Sequence, residues 1–495
     1  MKQLKSRSFK ATAWSFLDVI GARGVNFLVI MYLARILEPE DFGLIGMIMI
    51  FIELSRILID GGLAGSLIRT QNADESDYAT VFFINLFGSV FIYGCCFFSA
   101  PYIADFYEQP VLVDILRFYC IGFVISSLSI VQKTKLSKEL DFKTQMKVNL
   151  PAILLSGIIG IGAASLGFGV WSLVFMYLTK ETIVTILFWY FSNWYPRLEF
   201  NLKKYKYHFD FGYKLTVSEV ISRLGDNLYH IVIGKFFSPA SLGFYTRADT
   251  TSQFPVFILY NTLNRVTFPV FAIIKNQAGK LKAVYKKLLQ QVIFCFAPVM
   301  LIGVVLAEPL IVFLFSDKWL LAVPFFQLLC IKGIYTPIHA YNLNILKVYD
   351  RTDLILLLQC FNVILVFINI YLTMQYGVYG LLVGQIVIAN ISFFINTYYS
   401  GRYIDYGSLE QIKDLLPTVF LAVITMMAVY WLDTRIFIDF SNFFRLVFGS
   451  LSGGLLFLLL AKVVNLSALE FSTELLTQLK GAIGKKRNFS KEPAQ

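Results

Sequence analysis

The sequence predicts an all-α polytopic membrane protein of about fourteen transmembrane helices in two duplicated lobes, and three observations predict it. Of its 495 residues, 57% are hydrophobic and only 15% charged, with a mean hydropathy of +0.66. A soluble core cannot bury that much apolar surface, so lipid must be the solvent for most of it. Apolar runs of about 20 residues, the length that crosses a bilayer core as helix, recur along the whole chain. Two distant stretches also read as copies of one unit without a gap: Arg23 aligns with Arg223, Leu28 with Leu228, Arg35 with Lys235, Pro39 with Pro239, Gly43 with Gly243 and Leu63 with Leu263.

In chain order the runs fall at 12–34, 43–66, 79–101, 112–131, 148–168, 170–192, 211–237, 243–271, 288–308, 320–346, 353–374, 378–399, 414–432 and 443–462. The first follows Lys2, Lys5, Arg7 and Lys10. It is too long for a signal-peptide core and shows no small-residue cleavage site, so it is expected to stay as a signal anchor. Gly157, Gly160 and Gly162 in the fifth run suit close helix packing. Pro255 and Pro269 in the eighth each remove a backbone hydrogen bond and permit a bend, as do Pro298, Pro324 and Pro337 further on. Lys180 with Glu181, and Lys332, are in-span charges best read as helix-end or paired groups.

Each copy of the repeat opens a block of about six helices, and an even number of crossings returns the second block in the same orientation, as parallel repeats about an axis along the membrane normal. The expected lobes are 1–192 and 211–401, joined by the basic and aromatic linker 193–210. Two further spans fill 402–462. The tail 463–495 reads as an amphipathic helix on the inner leaflet, with Leu466, Leu469, Leu475, Leu476, Leu479 and Ile483 ahead of Lys485, Lys486 and Arg487. Lysine and arginine collect in alternate loops, as at Lys133 to Lys147, Arg197 to Lys206 and Lys275 to Lys287, which places those loops and both termini in the cytoplasm. The net charge of +11 is then a topology signal and an attraction to anionic lipid. The cations are spread over separate short loops, which argues against nucleic-acid binding.

Nothing in the sequence calls for a cofactor. The six cysteines fall in spans without metal-type spacing, the three histidines are scattered, and no nucleotide-binding glycine loop follows a strand. Charges inside the spans are the site candidates, because an ionisable group at bilayer depth is costly unless it pairs or faces water. They gather on the first two helices of each lobe. Arg23, Arg56, Arg223, Arg247 and Arg265 are the expected substrate-binding cations. Asp18, Glu53, Asp60, Glu219, Asp226 and Asp249 are expected either to pair with them or to bind a coupling proton or sodium ion. Glu53 with Arg56, Arg56 with Asp60, Glu219 with Arg223 and Arg223 with Asp226 stand three or four apart, where side chains of one helix meet. Several guanidinium groups in one wet cavity would hold phosphate oxygens in pairs at any working pH, which suits a pyrophosphate headgroup.

The segments 61–69 (Gly-Gly-Leu-Ala-Gly-Ser-Leu-Ile-Arg) and 77–85 (Asp-Tyr-Ala-Thr-Val-Phe-Phe-Ile-Asn) resemble the second-to-third helix region of the Wzx-type polysaccharide exporters. So do Leu140-Asp141-Phe142, Gly167 to Val174, Ile233-Gly234-Lys235, Leu242 to Ala248, Val266 to Val270 and Lys318-Trp319. The likeness covers most of the first ten helices and is strongest to the colanic-acid exporter branch. It implies a multidrug/oligosaccharidyl-lipid/polysaccharide exporter fold in the bacterial inner membrane. It also implies a flippase that moves undecaprenyl-pyrophosphate-linked sugar repeat units to the outer leaflet, beside the polymerase and glycosyltransferases of the same pathway. Asn85 and Arg247 are positions that match the motifs, and Lys235 stands where related chains often carry arginine. Two other readings stay open: a cation-coupled small-molecule exporter of the same fold, and a membrane enzyme such as a glycan polymerase or an acyltransferase.

Overall fold

The computed structural model describes residues 2–192 and 194–469; the side chains of residues 2–13, 15–17, 19, 20, 214, 215, 222, 226, 257–266, 268, 269 and 278 lie outside the described set. Among the described residues there are no strands. The α-helices run in order as α1 (Lys2–Ile36), α2 (Pro39–Asp60), α3 (Leu63–Arg69), α4 (Glu75–Tyr107), α5 (Leu112–Lys138), α6 (Phe142–Ser165), α7 (Trp171–Phe191), α8 (Leu202–Phe236) and α9 (Pro239–Ile273). They continue as α10 (Ala278–Val305), α11 (Ala307–Phe315), α12 (Val323–Gly333), α13 (Tyr335–Val348), α14 (Thr352–Thr373), α15 (Gly377–Ile404), α16 (Ser408–Arg435) and α17 (Asn442–Val463).

Ten stretches of the described chain are long and apolar enough to cross a membrane, and one of them, Thr352–Ile404, contains two helices, α14 and α15, folded back on each other. The expected runs 12–34, 211–237 and 243–271 lie in α1, α8 and α9, which are not among the ten. All three helices include residues whose side chains lie outside the described set. Side chains facing outward are strongly apolar, as with Tyr371 at 86% exposure and Phe98 at 76%. That inside-out pattern suits a protein dissolved in lipid.

Helix starts follow the local sequence. Pro39 opens α2 behind a reciprocal capping box of Glu38 and Asp41, and Asp74 with Asp77 forms the same box ahead of α4. Asp141 caps α6 by accepting from the Thr144 amide at 3.0 Å and its hydroxyl at 2.7 Å. Asn201 caps α8, so the helix begins inside the expected linker, and of its described residues 194–201 are non-helical. α2 stops at Gly61 and α3 starts after Gly62, both with left-handed backbone that glycine adopts without strain.

The chain divides into two compact units. Unit one comprises Met1–Thr246 with Leu314–Lys318. Here α4 packs on α5, α5 on α7, α1 on α6 and α6 on α7, while α2, α3 and α4 all meet α8. A core of Leu63, Leu67, Tyr78, Val81, Phe82, Val131 and Trp194 ties α3, α4 and α5 together. Unit two comprises Arg247–Phe313 with Trp319–Gln495. In it α10 packs on α16 and α12, α15 receives α12, α13 and α14, and α17 covers α16. Its hub is Asn342 of α13, fully buried, whose Oδ1 accepts from Tyr285 Oη at 2.9 Å, Ser400 Oγ at 2.7 Å and Gln411 Nε2 at 3.3 Å. The Asn342 Nδ2 donates to the Ile338 carbonyl and to Thr397 Oγ1, so every lone pair and proton of the amide is used. From residue 470 on, the expected amphipathic tail lies outside the described residues.

Candidate functional site

The best-defined charged cluster joins α2 to α7 inside unit one. Arg56 Nη2 lies 3.6 Å from Glu181 Oε1, and Lys180 Nζ lies 3.3 Å from the same oxygen. The Glu181 side chain is 12% exposed, whereas those of Arg56 and Lys180 are 46% and 39% exposed. The guanidinium also sits 5.3 Å over the Tyr177 ring, which stacks on Tyr119 with centroids 3.9 Å apart. Tyr177 precedes Glu181 by one helical turn, so one face of α7 supplies both the ring and the carboxylate. Two cations share one largely enclosed carboxylate, and the surplus positive charge is partly exposed near the middle of α7. Half-exposed cations at that depth must meet water or an anion, since acyl chains solvate neither.

This corrects the pairing expected from spacing. Arg56 reaches across to α7 instead of pairing along α2 with Glu53 or Asp60. Glu53 accepts from Asn227 Nδ2 of α8 at 3.1 Å, and Asp60 accepts from the Ala64 amide at 3.3 Å, bridging the break between α2 and α3. Asp18 is buried and both its oxygens accept from Asn149 Nδ2 of α6, each at 3.2 Å. Arg23, Glu219 and Arg223 are exposed. Asn227 also donates to the Arg223 carbonyl at 3.0 Å, which sets Arg223 one turn from Glu53 along the α2–α8 seam. Arg247 and Asp249 are half-buried on α9. Arg265 and Asp226 have side chains outside the described set. The structure thus brings Glu53 near the Arg223 turn in unit one, while Arg56 has its own carboxylate. Arg247, Asp249 and Arg265 belong to unit two.

Close backbone approaches flank the α2–α8 seam, one between the first turns of α2 and α9 and one where the α2–α3 break meets α8. A methyl group at Gly43 would collide with the Pro239 carbonyl, and one at Gly243 would collide with the Pro39 carbonyl. These four residues are two aligned pairs of the sequence repeat, and they meet reciprocally, Gly43 on Pro239 and Gly243 on Pro39. Beside them Lys235 Nζ binds Glu108 Oε1 at 2.8 Å and holds that carboxyl below its ordinary value. At the other end a Cβ on Gly62 would lie 2.7 Å from Gly212 Cα.

A sealed polar cluster adjoins that second contact. His208 is fully buried; its Nε2 donates to Asp77 Oδ1 at 3.2 Å and its Nδ1 accepts from Ser66 Oγ at 2.8 Å. The carboxylate can only accept, which fixes the tautomer. Burial holds the His208 imidazole below its ordinary pKa. Lys204, one turn earlier, binds Asp74 and Asp77, and its ammonium group lowers the Asp74 carboxyl to about 2. Sequence reading missed this cluster, and also Asn149 and Asn227. Neutral amides and a lone histidine carry no signal until the fold supplies their partners.

Residues 32–324, more than half of the chain, match the family model described as polysaccharide biosynthesis protein. The teichuronic acid biosynthesis protein TuaB of Bacillus subtilis is 27% identical over 64% of this chain and 69% of its own length. The lipopolysaccharide biosynthesis protein WzxC of Escherichia coli is 25% identical over 79% of this chain and 81% of its own. Among solved structures, the lipid II flippase MurJ in an inward closed conformation superposes with a TM-score of 0.72 at 14% identity, covering 91% of this chain and 98% of that one. The fold is therefore shared with a membrane transporter, and the chain belongs to the polysaccharide biosynthesis protein family.

Proposed function

We propose that this chain is a flippase that moves oligosaccharide units linked to undecaprenyl pyrophosphate from the cytoplasmic to the outer leaflet of a bacterial inner membrane. The relatives WzxC and TuaB are named for lipopolysaccharide and teichuronic acid biosynthesis, and MurJ is a lipid flippase. The observation that carries the reading is Arg56 and Lys180 sharing Glu181 at mid-span. That arrangement leaves donors and net positive charge for a phosphorylated headgroup while the polyprenyl tail stays in lipid.

In this reading the lobes 1–192 and 211–401 rock about the cargo, and the basic loops keep both termini in the cytoplasm. Asp18, whose carboxylate is held by the neutral Asn149 amide, is the first candidate for a coupling proton or sodium ion. A coupling ion drives the cycle only through different affinity for the two states. The polymerase and glycosyltransferases of the same pathway are the expected neighbours.

The test is flipping of a labelled polyprenyl-pyrophosphate oligosaccharide by the purified chain in liposomes. Arg56→Ala is expected to lower the rate at least tenfold, and Arg56→Lys to retain an intermediate rate, because charge remains but the bidentate fork is lost. An unchanged rate with both Arg56 and Lys180 replaced by alanine would refute the reading.

A further inference from the structure

Arg56 rests on an aromatic platform whose shape is set by a glycine. Tyr119 and Gly122 stand three apart on α5, and Tyr177 and Glu181 four apart on α7, so on each helix the two residues share a face. The two tyrosines are buried, and their rings lie almost parallel, with planes at 6° and centroids 3.9 Å apart. Tyr119 fills one face of the Tyr177 ring, so the guanidinium, 5.3 Å from the centroid, takes the other. Gly122 lies against the hydroxyl end of the same ring. A Cβ there would come within 2.4 Å of Tyr177 Cε1, 2.7 Å of its Oη and 2.8 Å of its Cζ.

Two features separate this stack from ordinary core packing. Glycine is disfavoured in the interior of a helix, and Gly122 does not have the left-handed backbone that would call for it. What calls for it is the space that the Tyr177 ring occupies. Rings stacked this directly are also an arrangement that two tyrosines disfavour by themselves, since their negative faces oppose each other. A cation on the outer face offsets that repulsion, which couples the stack to Arg56.

A guanidinium held by a ring face uses no N–H donor in that contact, and at 3.6 Å Glu181 makes an ion pair longer than a hydrogen bond. The planar fork therefore keeps its donors for phosphate oxygens. We propose that Gly122 and Tyr119 are positioning residues for Arg56: Gly122 makes room for the Tyr177 ring, Tyr119 holds it flat, and the ring fixes the guanidinium with its donors available to the pyrophosphate of the transported lipid. The proposal rests on the flippase reading above and deepens it, because neither residue touches the lipid and both act through Arg56.

The test measures flipping of a labelled polyprenyl-pyrophosphate oligosaccharide by the full chain in liposomes, over a range of lipid concentrations, with Arg56 present and with Arg56→Ala. Gly122→Ala, Tyr119→Leu and Tyr177→Leu are each expected to raise KM roughly fivefold, the effect of one cation–ring contact, with kcat little changed. Tyr177→Phe keeps the ring and should restore most of what Tyr177→Leu loses. In the Arg56→Ala background the same changes should leave KM where Arg56→Ala alone puts it, because the group they position is gone. A purely structural role would cost the same in both backgrounds. Equal rises in both, or no rise in either, overturn the positioning roles and leave the phosphate site standing. Flipping unaffected by Arg56→Ala overturns the phosphate reading and this proposal with it. Should Gly122→Ala fail to fold, the Tyr119 and Tyr177 variants decide the question alone.

Discussion

Two sealed polar clusters and the half-open Arg56 cluster teach different things about polar groups in a membrane protein. The His208 cluster of unit one and the Asn342 hub of unit two exclude solvent completely around their central residues. Their hydrogen bonds close on protein atoms, so they specify which helices meet. The Arg56 cluster also joins cations, a carboxylate and aromatic rings but leaves part of its positive charge exposed. A buried polar group that is fully partnered contributes to stability and uniqueness. One that is half open in the span offers binding capacity at a cost in stability. The sealed clusters should therefore respond to mutation in the melting curve, and the open one in transport.

The largest effect expected from that contrast is at Asn342. Asn342→Leu removes a shared acceptor from Tyr285, Ser400 and Gln411 in a dry core; Ser400 and Gln411 keep the Thr397 and Tyr406 carbonyls, and Tyr285 loses its partner at about 1 to 3 kcal/mol. A fall in thermal midpoint with KM unchanged in the surviving protein would sharpen the comparison. A normal midpoint with altered KM would break it. The same logic applies on a smaller scale to the glycines of α6. A Cβ at Gly157 would lie 2.6 Å from Val29 Cγ2, whereas nothing lies within 4 Å of one at Gly162. Gly157→Ala should destabilise by about 1 to 3 kcal/mol, while Gly162→Ala should be neutral or stabilise by up to about 1 kcal/mol through helix propensity. Equal effects at the two positions would mean that α1 does not press on α6 as described.

The smallest effect concerns the rim of the His208 cluster, where Lys204 meets Asp74. The Asp74 carboxyl is lowered to about 2 from an ordinary 3.8, so its contribution is fully present above pH 3.8 and is lost as pH falls from there towards 2. Melting temperature against pH should show this acid decline in the wild type and a weaker one in Lys204→Gln. Both should flatten in high salt, because the pair is exposed.

Much of the fold was legible because lipid leaves the backbone few choices. Runs of apolar residues had to be helices, and most observed helices fall where the runs predict. The motifs that carried the resemblance land on helix breaks: Gly61 and Gly62 between α2 and α3, Leu140 with φ 62° before the Asp141 cap, and Gly167 and Gly169 before α7. The expected close packing at Gly157 and Gly160 is present, and at Gly162 it is not. What spacing could not supply was the partner. Arg56 has carboxylates three and four residues away on its own helix, yet the structure satisfies it from α7. An intrahelical pair on a half-open face is worth a few tenths of a kcal/mol, and a stacked tyrosine with a buried carboxylate competes easily.

The meeting of Gly43 with Pro239 and of Gly243 with Pro39 is self-complementary: each partner of the contact is the same surface seen from the other side. A chain carrying one copy of the repeat could make that fit only with a second molecule of itself, as an isologous dimer. Duplication and fusion convert such a two-body association into an internal one, free of dilution. The two sides must also evolve as a matched set, because bulk gained at either glycine displaces the carbonyl that its counterpart depends on.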